Sequence, residues 1–304
     1  MRVVQLFRLL PIVALSGSLL ALAQTPRHVI LFGVDGLSPA GIEKADVPHI
    51  RALMKSGSWT FHARAVMPTV SSPNWAAMIM GAPTELTGVT SNDWQPDKFT
   101  IRAACQSSPG IFPTIFSLEH QQHPEEKIGI FTDWPDFIRL FEPDTGANIS
   151  STKEREDETF AQALDFFRKT QPRFLFLHLD HVDNAGHEHG WETTPYLEAV
   201  EKTDRFLGML MAALDEMHLR DSTAILLTSD HGGIGKQHGG LTMNEIEIPW
   251  ILAGPGIRPD NEISELVMQY DTAATLARLL GDRPSYCWRG RTVASAFLGP
   301  EDTR

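Results

Sequence analysis

The stretch TSDHGGIGKQHGG (228–240) sets Asp230, His231 and His238 among five glycines, directly after an apolar run. Carboxylate and imidazole are suitable Zn²⁺ donors, and glycine lets a short loop fold back so that residues seven apart can converge. A second stretch, HLDHVDNAGHEHGWETT (178–194), has Asp183 and His187 four apart with Gly186 between them. It reads as a polar loop after a strand. His181 and His189 lie close by without an assigned role, and His178, set among apolar neighbours, reads as a core histidine. Asp35 ends an earlier apolar run in VDG, where an aspartate serves as readily in a turn as on a metal. Ser71 and Ser72 precede a helix that Pro73 is expected to open. Ser72 is expected to cap that helix. A hydroxyl there lies near the positive helix end, and the sharper reading makes one of the two serines a nucleophile, which requires a base or a metal to lower its pKa. Three aspartates and three histidines suffice for two metal sites sharing an open face. A pair of Zn²⁺ ions about 4 Å apart can activate a nucleophile and stabilise a transferring phosphoryl group.

These residues need elements to hold them. The runs 28–35, 127–134, 173–180, 224–230 and 249–255 are short and continuously apolar, the pattern of strands covered on both faces. Helical patterns lie between them. In TPYLEAVEKTDRFLGMLMAALDEM, Leu197, Val200, Leu207, Leu210, Met211 and Leu214 share one face, with Thr194 as the expected cap and Pro195 opening the helix. Residues 72–81 and 271–281 give two more helices, the second capped by Asp271 and stopped by Gly281. Alternating strands and helices predict an α/β fold with a mostly parallel sheet. Ligands in such sheets sit beyond the carboxyl ends of the strands, where Asp35, Asp133, Asp180 and Asp230 are delivered. Residues 93–126 are polar and irregular and read as an excursion forming a small cap.

The first 23 residues carry two arginines, an apolar stretch and Ala21-Leu22-Ala23, the pattern of a cleaved secretory signal peptide. The remaining chain, 24–304, reads as one exported domain, periplasmic or extracellular. Removing Arg2 and Arg8 takes the net charge from −12 to −14, which disfavours non-specific nucleic-acid binding. No later segment is long and apolar enough to span a bilayer. Cys105 and Cys287 either pair in the oxidising compartment or stay free.

Six short segments, the last three falling in two neighbouring stretches, together resemble the alkaline phosphatase superfamily and, within it, the type I phosphodiesterase/nucleotide pyrophosphatase family. They are Gly33-Val34-Asp35-Gly36; Pro68-Thr69-Val70-Ser71-Ser72-Pro73-Asn74; Gly88-Val89-Thr90-Ser91-Asn92; and the pair Asp183-Asn184-Ala185-Gly186-His187-Glu188-His189-Gly190 with Thr228-Ser229-Asp230-His231-Gly232 and His238-Gly239. The resemblance runs from about residue 28 to 281. It implies a three-layer α/β/α sandwich and two Zn²⁺ ions. One would be held by Asp183, His187 and His238, the other by Asp35, Asp230 and His231 with Ser71 as a further ligand. It also implies Ser71 as nucleophile through a phospho-serine intermediate, Asn92 as a donor to the phosphoryl oxygen, and a small phosphorylated substrate, a nucleotide or another phosphodiester. Two departures stand out. Serine replaces the family's usual threonine, and Ser72 stands where nucleotide-cleaving members often carry an aromatic; Trp75, Trp94, Trp134 and Phe137 are the other aromatics within reach in sequence.

No arginine occurs in 68–94, so a neutral donor at Asn92 favours a diester over a monoester dianion. Phosphomonoesterase and phosphonoacetate hydrolase remain the alternative reactions. A sulfatase requires arginine where Trp75 stands. Outside enzymes, the alternative is an exported protein whose zinc is structural. Structural zinc is normally closed by four protein ligands, and this set leaves room for substrate.

Overall fold

The computed structural model describes residues 25–299; the expected signal peptide lies outside them. In chain order the elements are β1 (His28–Val34), α1 (Pro39–Lys44), α2 (Pro48–Ser56), β2 (Gly57–Arg64), α3 (Ser71–Met80), α4 (Thr84–Thr87), α5 (Ile115–Gln122), β3 (Ile128–Thr132), β4 (Asn148–Ser151), α6 (Glu156–Thr170), β5 (Phe174–Leu179), α7 (His181–His189), α8 (Thr194–Glu216), β6 (Thr223–Thr228), α9 (Met243–Ile246), β7 (Glu247–Ala253), β8 (Asn261–Glu262) and α10 (Asp271–Leu280). The strands form one sheet in the order β4-β3-β5-β1-β6-β7-β2-β8. The run from β4 to β6 is parallel, β7 is antiparallel to both β6 and β2, and β8 is parallel to β2.

Continuous apolarity has a direct cause. All seven residues of β1 are buried; Val29 and Leu31 enter one apolar core, while Ile30, Phe32 and Val34 enter the other. Trp75 of α3, Phe116 of α5 and Leu276 of α10 cover the first face, and Ile50 of α2, Phe167 of α6 and Leu207 of α8 cover the second. This is the expected three-layer α/β/α arrangement. Among the described residues no helix is long and apolar enough to cross a membrane.

Several local expectations are corrected. The segment carrying Asp183 and His187 is not a loop but the helix α7, so the spacing of four puts both side chains on one face. Its polar composition hides a packed side of Val182, Asp183 and Gly186. The helix expected at 72–81 starts one residue earlier, making Ser71 its first residue. Ser72 makes no capping bond; its Oγ accepts from Arg139 Nη2 at 2.8 Å. Thr193 rather than Thr194 precedes α8, and Tyr270 rather than Asp271 precedes α10. Gly281 ends α10 with φ 74°, as expected of a left-handed cap. The span 93–126 is irregular as far as residue 114 and then enters α5, whose Ile115 and Phe116 lie in the core. Cys105 and Cys287 are joined in a disulfide with Cα atoms 6.1 Å apart, tying this span to the segment after α10.

Candidate metal centre

The carboxyl ends of β1, β5 and β6 meet at one place. β1 gives way to Asp35, β6 to Ser229, Asp230 and His231, and β5 to α7 with Asp183 and His187. Gly36 makes the approach possible: its φ is 68°, and a Cβ there would stand 2.8 Å from the Asp183 Cα. Its N–H donates to Asp230 Oδ1 at 3.1 Å. The loop after β6 then returns under Trp191, where a Cβ on Gly233 would come within 2.2 Å of the indole.

All six metal-type side chains expected from the sequence are brought together. Asp35, Asp230 and His231 offer ligand atoms within 4.8 Å of one another, as do Asp183, His231 and His238. His231 Nε2 lies 3.1 Å from Asp230 Oδ2 and 3.5 Å from Asp35 Oδ1. His187 Nε2 lies 3.3 Å from Asp183 Oδ2 and 3.1 Å from His238 Nε2, which is 3.8 Å from Asp183 Oδ1. The His231 and His238 rings stack with centroids 3.8 Å apart, so the two groups adjoin. His181 points elsewhere, toward Thr203 and the Ala199 carbonyl, and His189 lies beside Glu188.

The histidines are oriented alike. Nδ1–H of His231 donates to the Gly232 carbonyl at 2.9 Å, that of His238 to the Thr69 carbonyl at 2.9 Å, and that of His187 to the Lys236 carbonyl at 3.0 Å. A carbonyl only accepts, so each Nδ1 carries a proton; Nε2 of His231 and of His238 turns a lone pair inward, and Nε2 of His187 does so once the proton it shares with Asp183 is released. Facing those lone pairs, Asp35 Oδ1, Asp183 Oδ1 and Asp230 Oδ2 are buried without a hydrogen-bond partner. Three partnerless carboxylate oxygens facing three inward ring nitrogens, two of them acceptors and the third an acceptor on loss of its proton, fit divalent cations.

The electrostatics agree. Burial and the neighbouring Asp35 and Asp183 charges drive the Asp230 carboxyl well above the usual range. Burial also raises Asp183. Burial would raise Asp35 too, but the His178 hydrogen bond and the His231 and His178 charges bring it down to about 2. The Asp183 hydrogen bond raises His187 to about 9, whereas burial lowers His231 and His238.

Ser71 sits at the start of α3 with its Oγ 3.4 Å from His231 Nε2, where its own N–H and the helix dipole favour an anion. Asn92 Oδ1 accepts the Ser72 N–H at 2.8 Å, which commits its oxygen to the helix and leaves the Nδ2 donor for another acceptor. Arg139 was not foreseen here. Its Nε donates to the Trp94 carbonyl at 2.9 Å, Nη1 to the Asp136 carbonyl at 2.5 Å, and Nη2 to Ser72 Oγ at 2.8 Å and the Asn92 carbonyl at 2.6 Å. The guanidinium pins the Asn92 loop to the first turn of α3.

Other supports also escaped the sequence. Trp75 Nε1–H donates to Asp35 Oδ2 at 2.9 Å. His178 is buried and partnered, as a core histidine should be, but its Nε2 lies 3.4 Å from Asp35 Oδ2 and its Nδ1 bonds Thr132 Oγ1 at 3.1 Å. Gln269 Nε2 donates to the carbonyls of Ser229 and Asp230. The only signal was a polar group inside an apolar pattern, which does not name its partner.

Comparison with known proteins bears on the whole arrangement. The family model for type I phosphodiesterase / nucleotide pyrophosphatase matches residues 29–246. The chain is 27% identical over 220 residues to human ectonucleotide pyrophosphatase/phosphodiesterase family member 1, covering 69% of this chain and 24% of the relative. It is 25% identical over 220 residues to venom phosphodiesterase 2 of Crotalus adamanteus, covering 67% and 26%. It therefore spans about a quarter of the length of these curated relatives. Among solved structures, human ectonucleotide pyrophosphatase/phosphodiesterase 5 superposes with TM-score 0.75 at 16% identity, over 90% of this chain and 100% of that one. A 2-O GAG sulfatase superposes with TM-score 0.75 at 15% identity, over 92% and 76%. With more than half of its length matched by the family model and its fold shared with these structures, the chain belongs to the type I phosphodiesterase / nucleotide pyrophosphatase family.

Proposed function

We propose that this chain is an exported, zinc-dependent phosphodiesterase that works through a phospho-serine intermediate. One observation carries the reading: Ser71 Oγ, at a helix N-terminus, lies 3.4 Å from a histidine whose lone pair turns toward partnerless carboxylates. Asp183, His187 and His238 would hold one Zn²⁺, and Asp35, Asp230 and His231 with Ser71 the other. When bound, the pair supplies Lewis-acid charge that favours ionised serine and stabilises the phosphoryl group. The chain's own residues do the rest. Ser71 Oγ attacks phosphorus in line as the P–O bond to the leaving alcohol breaks on the far side, and water then cleaves the Ser71 Oγ–P bond in the same way. The Ser71 N–H and Asn92 Nδ2 bind the non-bridging oxygens as charge develops, the Ser72 N–H being held by Asn92 Oδ1. Trp75 and His178 hold Asp35, and the three backbone carbonyls hold the histidine tautomers.

The engagement of Arg139 supports a diester over a monoester. A guanidinium at the site would suit a monoester dianion, but its five N–H groups are directed at Trp94 O, Asp136, Ser72 Oγ and Asn92 O. The remaining donors to substrate, the Ser71 N–H and Asn92 Nδ2, are neutral, which suits a diester monoanion. Of the aromatics within reach, Trp75, Trp94 and Phe137 are buried and Ser72 is spent on Arg139, which leaves half-buried Trp134, with the Arg139 guanidinium 5.4 Å from its ring, as the one surface for a base. The substrate is therefore read as a small phosphodiester recognised at its phosphate. The disulfide fits an oxidising compartment and supports export. Rates on bis-p-nitrophenyl phosphate and on p-nitrophenyl phosphate test the reading. Diester turnover abolished by EDTA and restored by Zn²⁺ is expected; faster monoester turnover would overturn the diester assignment.

A further inference from the structure

A second group of metal-ligating side chains meets at the opposite end of the sheet. Glu119 on α5, His123 at the end of that helix and Asp282 just past α10 bring two carboxylate oxygens and a ring nitrogen within 4.8 Å of one another. Arg173, immediately before β5, borders them. β5 runs from there to the residues flanking α7, so at a rise of ~3.3 Å per residue the cluster lies about 20 Å from the candidate metal centre.

The protein does not satisfy these groups by itself. The side chains of Glu119 and Asp282 are 0% exposed. Glu119 Oε2 and Asp282 Oδ2 are buried without a hydrogen-bond partner, and Glu119 Oε1 meets only the charge of Arg173, with Nε at 2.8 Å. His123 Nε2 lies 2.8 Å from Asp282 Oδ1 and 3.3 Å from Arg173 Nη2. One ring nitrogen cannot donate to the carboxylate and accept from the guanidinium at once. Two buried carboxylates also outnumber one guanidinium, and the carbonyl ends of α5 and α10 add to the negative side.

We propose that Glu119, His123 and Asp282 form a further metal site for one divalent cation of the Zn²⁺ class, tying the ends of α5 and α10 together beneath the sheet. An imidazole beside two carboxylates selects a borderline cation over Ca²⁺ or Mg²⁺. The His123 side chain is 32% exposed and gives the ion its path from solvent. The site stands independently of the proposed hydrolysis.

The test uses the full chain, stripped with a chelator, reloaded with Zn²⁺ and desalted, beside His123→Ala and Asp282→Asn. Zinc per chain, Tm with and without Zn²⁺, and diester hydrolysis are measured on the same samples. Both variants are expected to hold one equivalent less zinc than wild type, to show a smaller zinc-induced rise in Tm, and to hydrolyse diester at the wild-type rate. Equal zinc in wild type and His123→Ala overturns the proposal. So does a carboxylic-acid infrared band in zinc-loaded wild type that Glu119→Gln removes, because a proton would then be neutralising the pair. Absence of hydrolysis from every sample would count against the proposed function while the zinc difference stayed readable.

Discussion

Replacing Arg139 with lysine separates positioning from charge. The guanidinium directs five N–H groups at four neighbouring residues, tying Trp94 and Asn92 to Ser72. Lysine keeps the charge but concentrates three donors at one point. At least two of the bonds must be lost, each worth about 1.5–3 kcal/mol when one partner is charged. The loss reaches catalysis only through Asn92, which the Ser72 N–H still holds at 2.8 Å. Removing a preorganised donor altogether costs about 10²–10³ in kcat, so loosening one is expected to cost about 10–10². Steady-state kinetics on a diester and a monoester, with zinc content measured in parallel, make the assay. A fall in kcat for both esters alike, with zinc unchanged, is expected. A selective loss of the monoester would refute the positioning role, because it would mean that Arg139 binds the dianion directly. Unchanged kinetics would refute the link between Arg139 and Asn92.

Ser71→Ala is expected to remove turnover by at least about 10³-fold while leaving zinc content near wild type, because three other residues still serve that ion; full turnover would remove Ser71 from the nucleophile role. His238→Ala is expected to hold one zinc equivalent less than wild type, read by metal content per chain; a loss of two equivalents or of none would dissolve the division into two groups. In the metal-free protein His187 is raised from 6.5 to about 9 by its Asp183 partner, so its stabilising contribution is complete below 6.5 and fades as pH rises through about 9. Zn²⁺ must displace that proton, so binding should release protons and tighten as pH rises toward about 9; calorimetry in buffers of different ionisation enthalpy reads both.

The core strands were legible because burial on both faces forces unbroken apolar runs, as β1 and β6 show. β2 was not, because its outer residues alternate with buried ones and it pairs antiparallel with β7 near the sheet edge. The metal-type residues were legible because few other roles place aspartate and histidine at strand ends. The helical state of α7 was not: beside Val182 its packed side is built from Gly186 against Trp191 and from Asp183, and neither of those two looks apolar in sequence. Arg139 was invisible for another reason. It stands 47 residues from Asn92, and only the return of the chain after β3 makes them neighbours. Trp75 and His178 looked like core residues because they are core residues; that each also has a polar atom aimed at Asp35 is a fact of packing geometry.

The two-metal reading is tested most directly by an anomalous-difference map at the zinc absorption edge from crystals of the zinc-loaded protein. Two peaks about 4 Å apart are expected, one among Asp35, Asp230, His231 and Ser71 and the other among Asp183, His187 and His238. A single peak there, or none in enzyme shown to be active, would contradict it.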